Sequence, residues 1–231
     1  MTEEVESMAR QTDEQALNAD AFSRGLAMWE IASVVTSSLI AEWVVLSFAG
    51  RSKIIMAIPV GLALALMVYS HRHRSESWQD VGFRADNFIA ACRLLLLPTV
   101  LTLLVIIAIG WFMNQTLLTG SFRARFLLLP LWALLQQYAL NGFINRRAQL
   151  ALGRGAKSVV LVAIVFGILH LPNPLLALVT LVGGFIWGAV YQRQPNLFAL
   201  ALSHTVISLT TALTISPGLL RSLRVGFKYF G

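Results

Sequence analysis

Five stretches of this chain are apolar over lengths that are typical of membrane-spanning helices. A helix needs about 17 to 25 mostly apolar residues to cross the roughly 30 Å of hydrocarbon in a bilayer. Apolar side chains make up 57% of the residues, charged ones only 13%, and the mean hydropathy is +0.70, which excludes an ordinary soluble domain. The sequence predicts an all-α, polytopic transmembrane helical bundle of about seven spans, two of them shorter than the others. These spans are Met28–Phe48, Ile54–Tyr69, Leu94–Met113, Phe126–Ile144, Ser158–Leu171, Leu175–Tyr191 and Leu197–Ile215.

The two ends of the chain differ in charge from the bundle between them. Residues 1–26 form an acidic N-terminal tail, either disordered or a surface helix, because six of the eleven acids precede Phe22. No basic start precedes the first apolar run, so we expect a retained span and no cleaved signal peptide. Residues 27–216 form the predicted bundle. Residues 217–231 are expected to lie on the membrane surface as a basic amphipathic segment, with a helix over Leu219–Phe230.

The distribution of Lys and Arg predicts the orientation and the lipid partners. With seven spans, the side of the membrane that holds the N-terminus carries 11 of the 18 Lys and Arg residues. Positive charge favours the cytoplasmic side, so we expect a cytoplasmic N-terminus. Bases beside the spans suit anionic headgroups, which makes membrane lipids expected partners. Nothing in the sequence indicates nucleic-acid binding.

Polar side chains occur inside the later apolar runs, although residues 87–231 contain no carboxylate at all. Such side chains are costly in hydrocarbon unless they bond to one another or line a water-filled cavity. They therefore indicate either hydrogen bonds that hold the helices together or a polar chamber in the membrane, and the sequence leaves both open. Several are paired at one-turn spacing on a single helix face. These pairs are Gln137 with Asn141, Phe166 with His170, and His204 with Ser208.

In their order and spacing these motifs resemble those of the CAAX-protease and bacteriocin-processing (CPBP) membrane proteins, which include the type II CAAX prenyl endopeptidases. The family pattern is Glu-Glu-x-x-x-Arg, then Phe-x-x-x-His, then His-x-x-x-Asn or Asp. Phe166 to His170 matches the second motif, and His204 begins the third, which ends on Ser208. The resemblance covers about residues 79–213. It includes Gln136-Gln137-Tyr138-Ala139-Leu140-Asn141 at the first motif, and Asp80-Val81-Gly82-Phe83-Arg84 and Pro195-Asn196-Leu197 as flanks.

The resemblance implies a CPBP-type bundle in the bacterial plasma (inner) membrane with an intramembrane peptidase site. In the family a glutamate activates the water that attacks the peptide carbonyl, while the histidines and the last Asn or Asp bind water or stabilise the oxyanion. A carboxamide is a poor proton acceptor, so general-base help worth about 10²- to 10⁴-fold would be lost here. The site residues that the resemblance implies are Gln136, Gln137, Asn141, Phe166, His170, His204 and Ser208.

The missing glutamates lead to competing hypotheses about function. The favoured one is a chamber for a peptide or lipid-modified peptide in a catalytically silent or altered protein. An active endopeptidase would need another base, either His170 or His204, or one of the first-span acids Glu30 and Glu42. A small-solute carrier is a third hypothesis, although no matched halves with broken helices are detectable. The glutamines could also be an engineered pair, but the departures at the other two motif positions favour natural loss.

No cofactor is predicted from the sequence. A catalytic zinc needs three protein ligands, and only two histidines lie near the proposed site, so the sequence does not identify a metal. Cys92 is the single cysteine; it allows no internal disulfide and is interpreted as a small packing residue.

Overall fold

The computed structural model describes residues 2–45, 53–114, 127–215, 218 and 224–230, and these are mostly helical. The first helix, α1, becomes π-helical over its last five residues, and the fourth span contains a longer π-helical segment between α5 and α6. The elements are α1 (Thr2–Ile40) with π-helical Ala41–Val45, α2 (Lys53–His73), α3 (Trp78–Val81), α4 (Phe88–Phe112), α5 (Leu129–Gln137), π-helical Tyr138–Asn145, α6 (Arg146–Leu152), α7 (Ala156–Ile168), α8 (Pro174–Arg193), α9 (Leu197–Thr214) and a 3₁₀ turn (Gly226–Tyr229).

Helices lie at all seven predicted spans, and the prediction of a transmembrane helical bundle is confirmed. The acidic residues 2–26 belong to α1, so this segment is helical in the structure. Of the surface helix expected over Leu219–Phe230, residues 219–223 lie outside the described residues, whereas residues 224–230 contain a short 3₁₀ turn in place of an α-helix. Within the described residues, four segments can cross a membrane by length and composition: Asn18–Val45, Phe88–Phe112, Pro174–Arg193 and Leu197–Thr214; α7 is a shorter apolar helix.

Close packing between α7 and α8 brings the motif residues of α7 toward the centre of the bundle. A Cβ atom added to Gly184 on α8 would lie 3.0 Å from the Cα of Ala163 and 3.2 Å from the Cβ of Phe166. Only glycine allows so close an approach without a shift of the backbone, as small residues commonly do between membrane helices. In addition, α9 packs against both α4 and α5, and α6 packs against α1.

The loop before α4 is bonded to the turn between α8 and α9. Gly82 has φ +107, and a Cβ atom there would lie 3.2 Å from Leu197 Cγ. The backbone N–H of Leu197 donates to the carbonyl of Gly82 at 2.9 Å, and Asn196 Nδ2 donates to the carbonyl of Arg84 at 2.7 Å. The two flanking sequences that accompany the motifs are therefore in contact, and they anchor the start of α9.

A fully buried arginine joins the first helices to the rest of the bundle. Arg147 on α6 is 0% exposed. Its guanidinium lies 2.9 Å from the Glu30 carboxylate on α1 and 2.9 Å from the Glu76 carboxylate after α2. It also donates to Ser70 Oγ on α2 at 2.9 Å. One side chain thus connects α1, α2 and the following loop to α6.

Each carboxylate of this ion cluster has further partners. Arg74 lies 3.0 Å from Glu30, while His71 and Arg146 each lie 2.5 Å from Glu76. Burial alone would raise the pKa of Glu76, but hydrogen bonds from His71, Arg147 and Arg146 hold it well below its usual range. Glu76 is therefore ionised, and Glu30 is fully engaged in ion pairs.

Replacing Arg147 with alanine should destabilise the protein strongly. Removing one partner of a buried ion pair leaves uncompensated charge, and we expect a loss on the order of 3 kcal/mol, at the low end because Arg74 and Arg146 remain. Thermal unfolding in detergent measures this loss. Arg72→Ala is the control, since Arg72 is exposed on α2 and should change stability little; equal effects of the two substitutions would contradict the role of the ion cluster.

Candidate functional site

A row of buried carboxamides runs along the fourth span. Gln137, Asn141 and Asn145 are each 0% exposed. Asn141 Nδ2 donates to Gln137 Oε1 at 2.7 Å, and Asn145 Nδ2 donates to Asn141 Oδ1 at 2.9 Å. The segment between them is π-helical, with i→i+5 hydrogen bonds. The three residues are spaced four apart and share one face of the span; we call them the carboxamide ladder.

At one end the carboxamide ladder is bonded to α7 and α8. Asn145 Nδ2 donates to the carbonyl of Gly188 at 3.1 Å. Gln192 Nε2 donates to Asn145 Oδ1 at 3.1 Å and to Ser158 Oγ at 2.8 Å. Sequence analysis missed Asn145, although its spacing of four from Asn141 was a usable signal. Gln192 gave no such signal, because its partners are distant in sequence.

At the other end the carboxamide ladder meets the two motif histidines. Gln137 Nε2 donates to His204 Nδ1 at 3.3 Å. Trp187 stacks on the His204 ring with 4.5 Å between centroids, and Phe166 lies edge-on to the same ring at 6.2 Å. Phe166 also packs edge-on against His170 at 4.8 Å. Gln137, Asn141 and these three motif side chains therefore form one connected cluster.

The hydrogen-bond partners of the two histidines show which remaining ring nitrogen is an acceptor and which is a donor. His170 Nδ1 lies 2.7 Å from the carbonyl oxygen of Phe166, which only accepts, so Nδ1 carries the proton and neutral Nε2 accepts a hydrogen bond. His204 Nδ1 accepts from Gln137, so Nε2–H is the donor in its neutral form. The pair presents one acceptor and one donor, a combination that can orient a water molecule or a peptide group.

Two predicted site residues stay outside this hydrogen-bonded cluster. Gln136 and Ser208 are both partly exposed, and neither forms a hydrogen bond within the described part of the chain. Adjacent positions on a helix point about 100° apart, so Gln136 cannot share the face of Gln137. The structure therefore brings together five of the seven predicted positions.

The two acids of the first span have different surroundings. Glu30 is bound in the ion cluster, whereas one carboxylate oxygen of Glu42 is buried and has no hydrogen-bond partner among the described residues. Glu42 lies on the π-helical end of α1, where a Cβ atom on Gly226 would come within 2.7 Å of its carbonyl oxygen. The N–H of Gly226 donates to the carbonyl of Leu171 at 3.0 Å. Glu42 is thus at the end of the bundle where His170 lies.

Metal ligands are not clustered in the described ranges. There, no group of three or more His, Cys, Asp or Glu side chains is arranged to hold a metal ion. Cys92 on α4 is a free, partly buried thiol. The polar cluster can donate and accept hydrogen bonds, but its carboxamides cannot take up a proton.

The comparison with known families agrees with this architecture. The family model described as type II CAAX prenyl endopeptidase Rce1-like matches residues 95–210, half of the chain. The chain belongs to the Rce1-like family. The match includes all seven motif positions and confirms the family resemblance that the motifs indicate. No curated protein and no solved structure matches the chain.

The two adjacent glutamines of this Rce1-like protein should respond differently to substitution. Gln137→Leu leaves buried groups of Asn141 and His204 without a partner, so we expect a loss of about 1 to 3 kcal/mol. Gln136→Leu, one residue away and partly exposed, should be near neutral. Thermal unfolding in the same detergent compares them. If Gln136→Leu lowered the stability as much as Gln137→Leu, the hydrogen bonds that define the carboxamide ladder would be contradicted.

Proposed function

We propose that this Rce1-like membrane protein holds a peptide or lipid-modified peptide in its buried polar cluster and is catalytically silent or altered. The observation that carries the proposal is the carboxamide ladder. Gln137 occupies a position where the family motif has an acid, and it is already bonded to Asn141 and His204. Amide groups both donate and accept hydrogen bonds, as the guest peptide backbone requires, but they give no general base.

The histidines support binding of a peptide group. His170 presents an acceptor and His204 a donor, and the aromatic rings of Phe166 and Trp187 fix both imidazoles. We further propose that the protein lies in the bacterial plasma membrane with its N-terminus in the cytoplasm, where the excess of Lys and Arg favours it.

Cleavage of a membrane-peptide library by the purified protein in lipid tests the proposal. We expect no cleavage by the wild-type chain, and cleavage by the Gln136→Glu/Gln137→Glu/Asn141→Arg variant, because the variant regains the family's acid. Capture of library peptides by the wild type, reduced in His170→Ala, reports the binding function separately. Wild-type cleavage that is lost in His170→Ala would instead establish a working peptidase.

One observation favours that peptidase as a second candidate function. Glu42 is partly buried, one of its carboxylate oxygens has no hydrogen-bond partner in the described part of the chain, and intramembrane acids usually serve function or a specific pair. In such an enzyme Glu42 takes a proton from water, the hydroxide attacks the peptide carbonyl, and the proton passes to the leaving amine. Glu30 does not suit this role, because Arg74 and Arg147 bind it.

Glu42→Gln decides between the two functions if the wild-type chain cleaves any library peptide. Loss of the general base should lower kcat by about 10²-fold or more while the folding midpoint changes little. Asp86→Asn is the matched control, since Asp86 is exposed and pairs only with Arg84 among the described residues. Wild-type levels of cleavage by Glu42→Gln would remove Glu42 from the mechanism.

A further inference from the structure

We propose that His71 and Tyr138 form a binding site for a single hydroxyl group, apart from the carboxamide ladder. The two side chains are 3% and 5% exposed, and their ring centroids are 5.8 Å apart. His71 Nε2 and Tyr138 Oη are both buried without a hydrogen-bond partner among the residues that the structure describes. Leaving two buried polar atoms without partners is costly, and a polar group bound between these two adjacent rings would satisfy both.

The chemistry of the ligand follows from the other nitrogen of His71. Nδ1 lies 2.5 Å from Glu76 Oε2, and an ionised carboxylate only accepts, so Nδ1 carries the proton. Neutral Nε2 is therefore an acceptor, while the Tyr138 hydroxyl is free to donate. A single hydroxyl group can satisfy both residues. Its oxygen accepts a hydrogen bond from the Tyr138 hydroxyl, and its O–H donates to His71 Nε2.

The surrounding charges disfavour other ligands. Arg147 Nη2 lies 3.4 Å from His71 Nδ1, and Arg146 pairs with the same Glu76, so a cationic ligand would be repelled. The Glu76 carboxylate already bonds to Nδ1 of the His71 ring. An ionised carboxylate ligand would have no proton to donate to Nε2 of the same ring. A neutral hydroxyl fits without changing the charge balance.

The walls of the site are apolar, and one side leads toward the exposed side chain of Trp78. Phe143 packs edge-on to His71 at 5.6 Å, and Phe83 packs against Tyr138 at 5.6 Å. Phe83 is in turn covered by Trp78 of α3, whose side chain is exposed. This placement lets the hydroxyl come from either water or a lipid headgroup.

A double-mutant cycle tests the site, because Tyr138→Phe removes only the hydroxyl and keeps the ring. If a ligand bridges the two residues, Tyr138→Phe should lower the thermal midpoint, and the loss should largely vanish in the His71→Ala background. If the hydroxyl is unbonded, Tyr138→Phe should leave the midpoint unchanged or raise it, which overturns the proposal.

Tyr191→Phe is the matched control in both backgrounds. Tyr191 Oη donates directly to the carbonyl of Val81 at 2.7 Å and also interacts with Arg146; because the Val81 bond does not involve His71, most of the loss in midpoint should be the same with and without His71. Additive behaviour of Tyr138→Phe, like that of the control, would count against a shared ligand even if the single substitution destabilises the protein.

The choice of detergent or vesicles distinguishes the two sources of the hydroxyl, water and a lipid headgroup. Coupling in an amine-oxide detergent, which has no hydroxyl group, assigns the ligand as water. Coupling that requires vesicles containing phosphatidylglycerol assigns it as a headgroup hydroxyl. Absence of coupling in both media means that no hydroxyl bridges His71 and Tyr138.

Discussion

The buried guanidinium of Arg147 holds the region that matches the Rce1-like family to the helices that precede it. Arg147 lies within the region that matches the Rce1-like family, residues 95–210, whereas its partners Glu30, Ser70 and Glu76 lie before it. A charge in such a place is tolerated only when it is paired and hydrogen-bonded. The first two helices therefore supply the counter-charges that allow the family core to bury this arginine, and in doing so they dock against α6.

The same constraint accounts for the interior of the core. Every polar group in hydrocarbon must find a partner, and an ionised glutamate at Gln137 would need a cation that neither Asn141 nor His204 provides. A carboxamide at that position bonds to both without a counter-charge. In our proposal Gln137 and Asn141 stand where the family motif has an acid and an arginine, and the two differences are compatible because both keep this position free of buried charge.

The sequence was sufficient for the helices and for part of the site. Apolar length predicts the spans, and one-turn spacing places Gln137 and Asn141 on a common face. Asn145 was not predicted because it lies just beyond the predicted end of its span. The π-helical geometry around it also leaves no periodic pattern in the sequence. The different surroundings of Glu30 and Glu42 could not be predicted either, because they depend on arginines distant in sequence and on Gly226.

The π-helical segment bears on whether the ladder is a chamber or only a contact between helices. An ordinary α-helix already places residues four apart within hydrogen-bond reach, so bonding between carboxamides does not require Tyr138–Asn145 to be π-helical. Such segments are rare and occur frequently at functional sites. Gln137, just before the π-helical segment, bonds to His204, while Asn145 at its end bonds to the Gly188 carbonyl of α8. This geometry presents one end of the ladder to the histidines and favours a retained binding chamber over helix association alone.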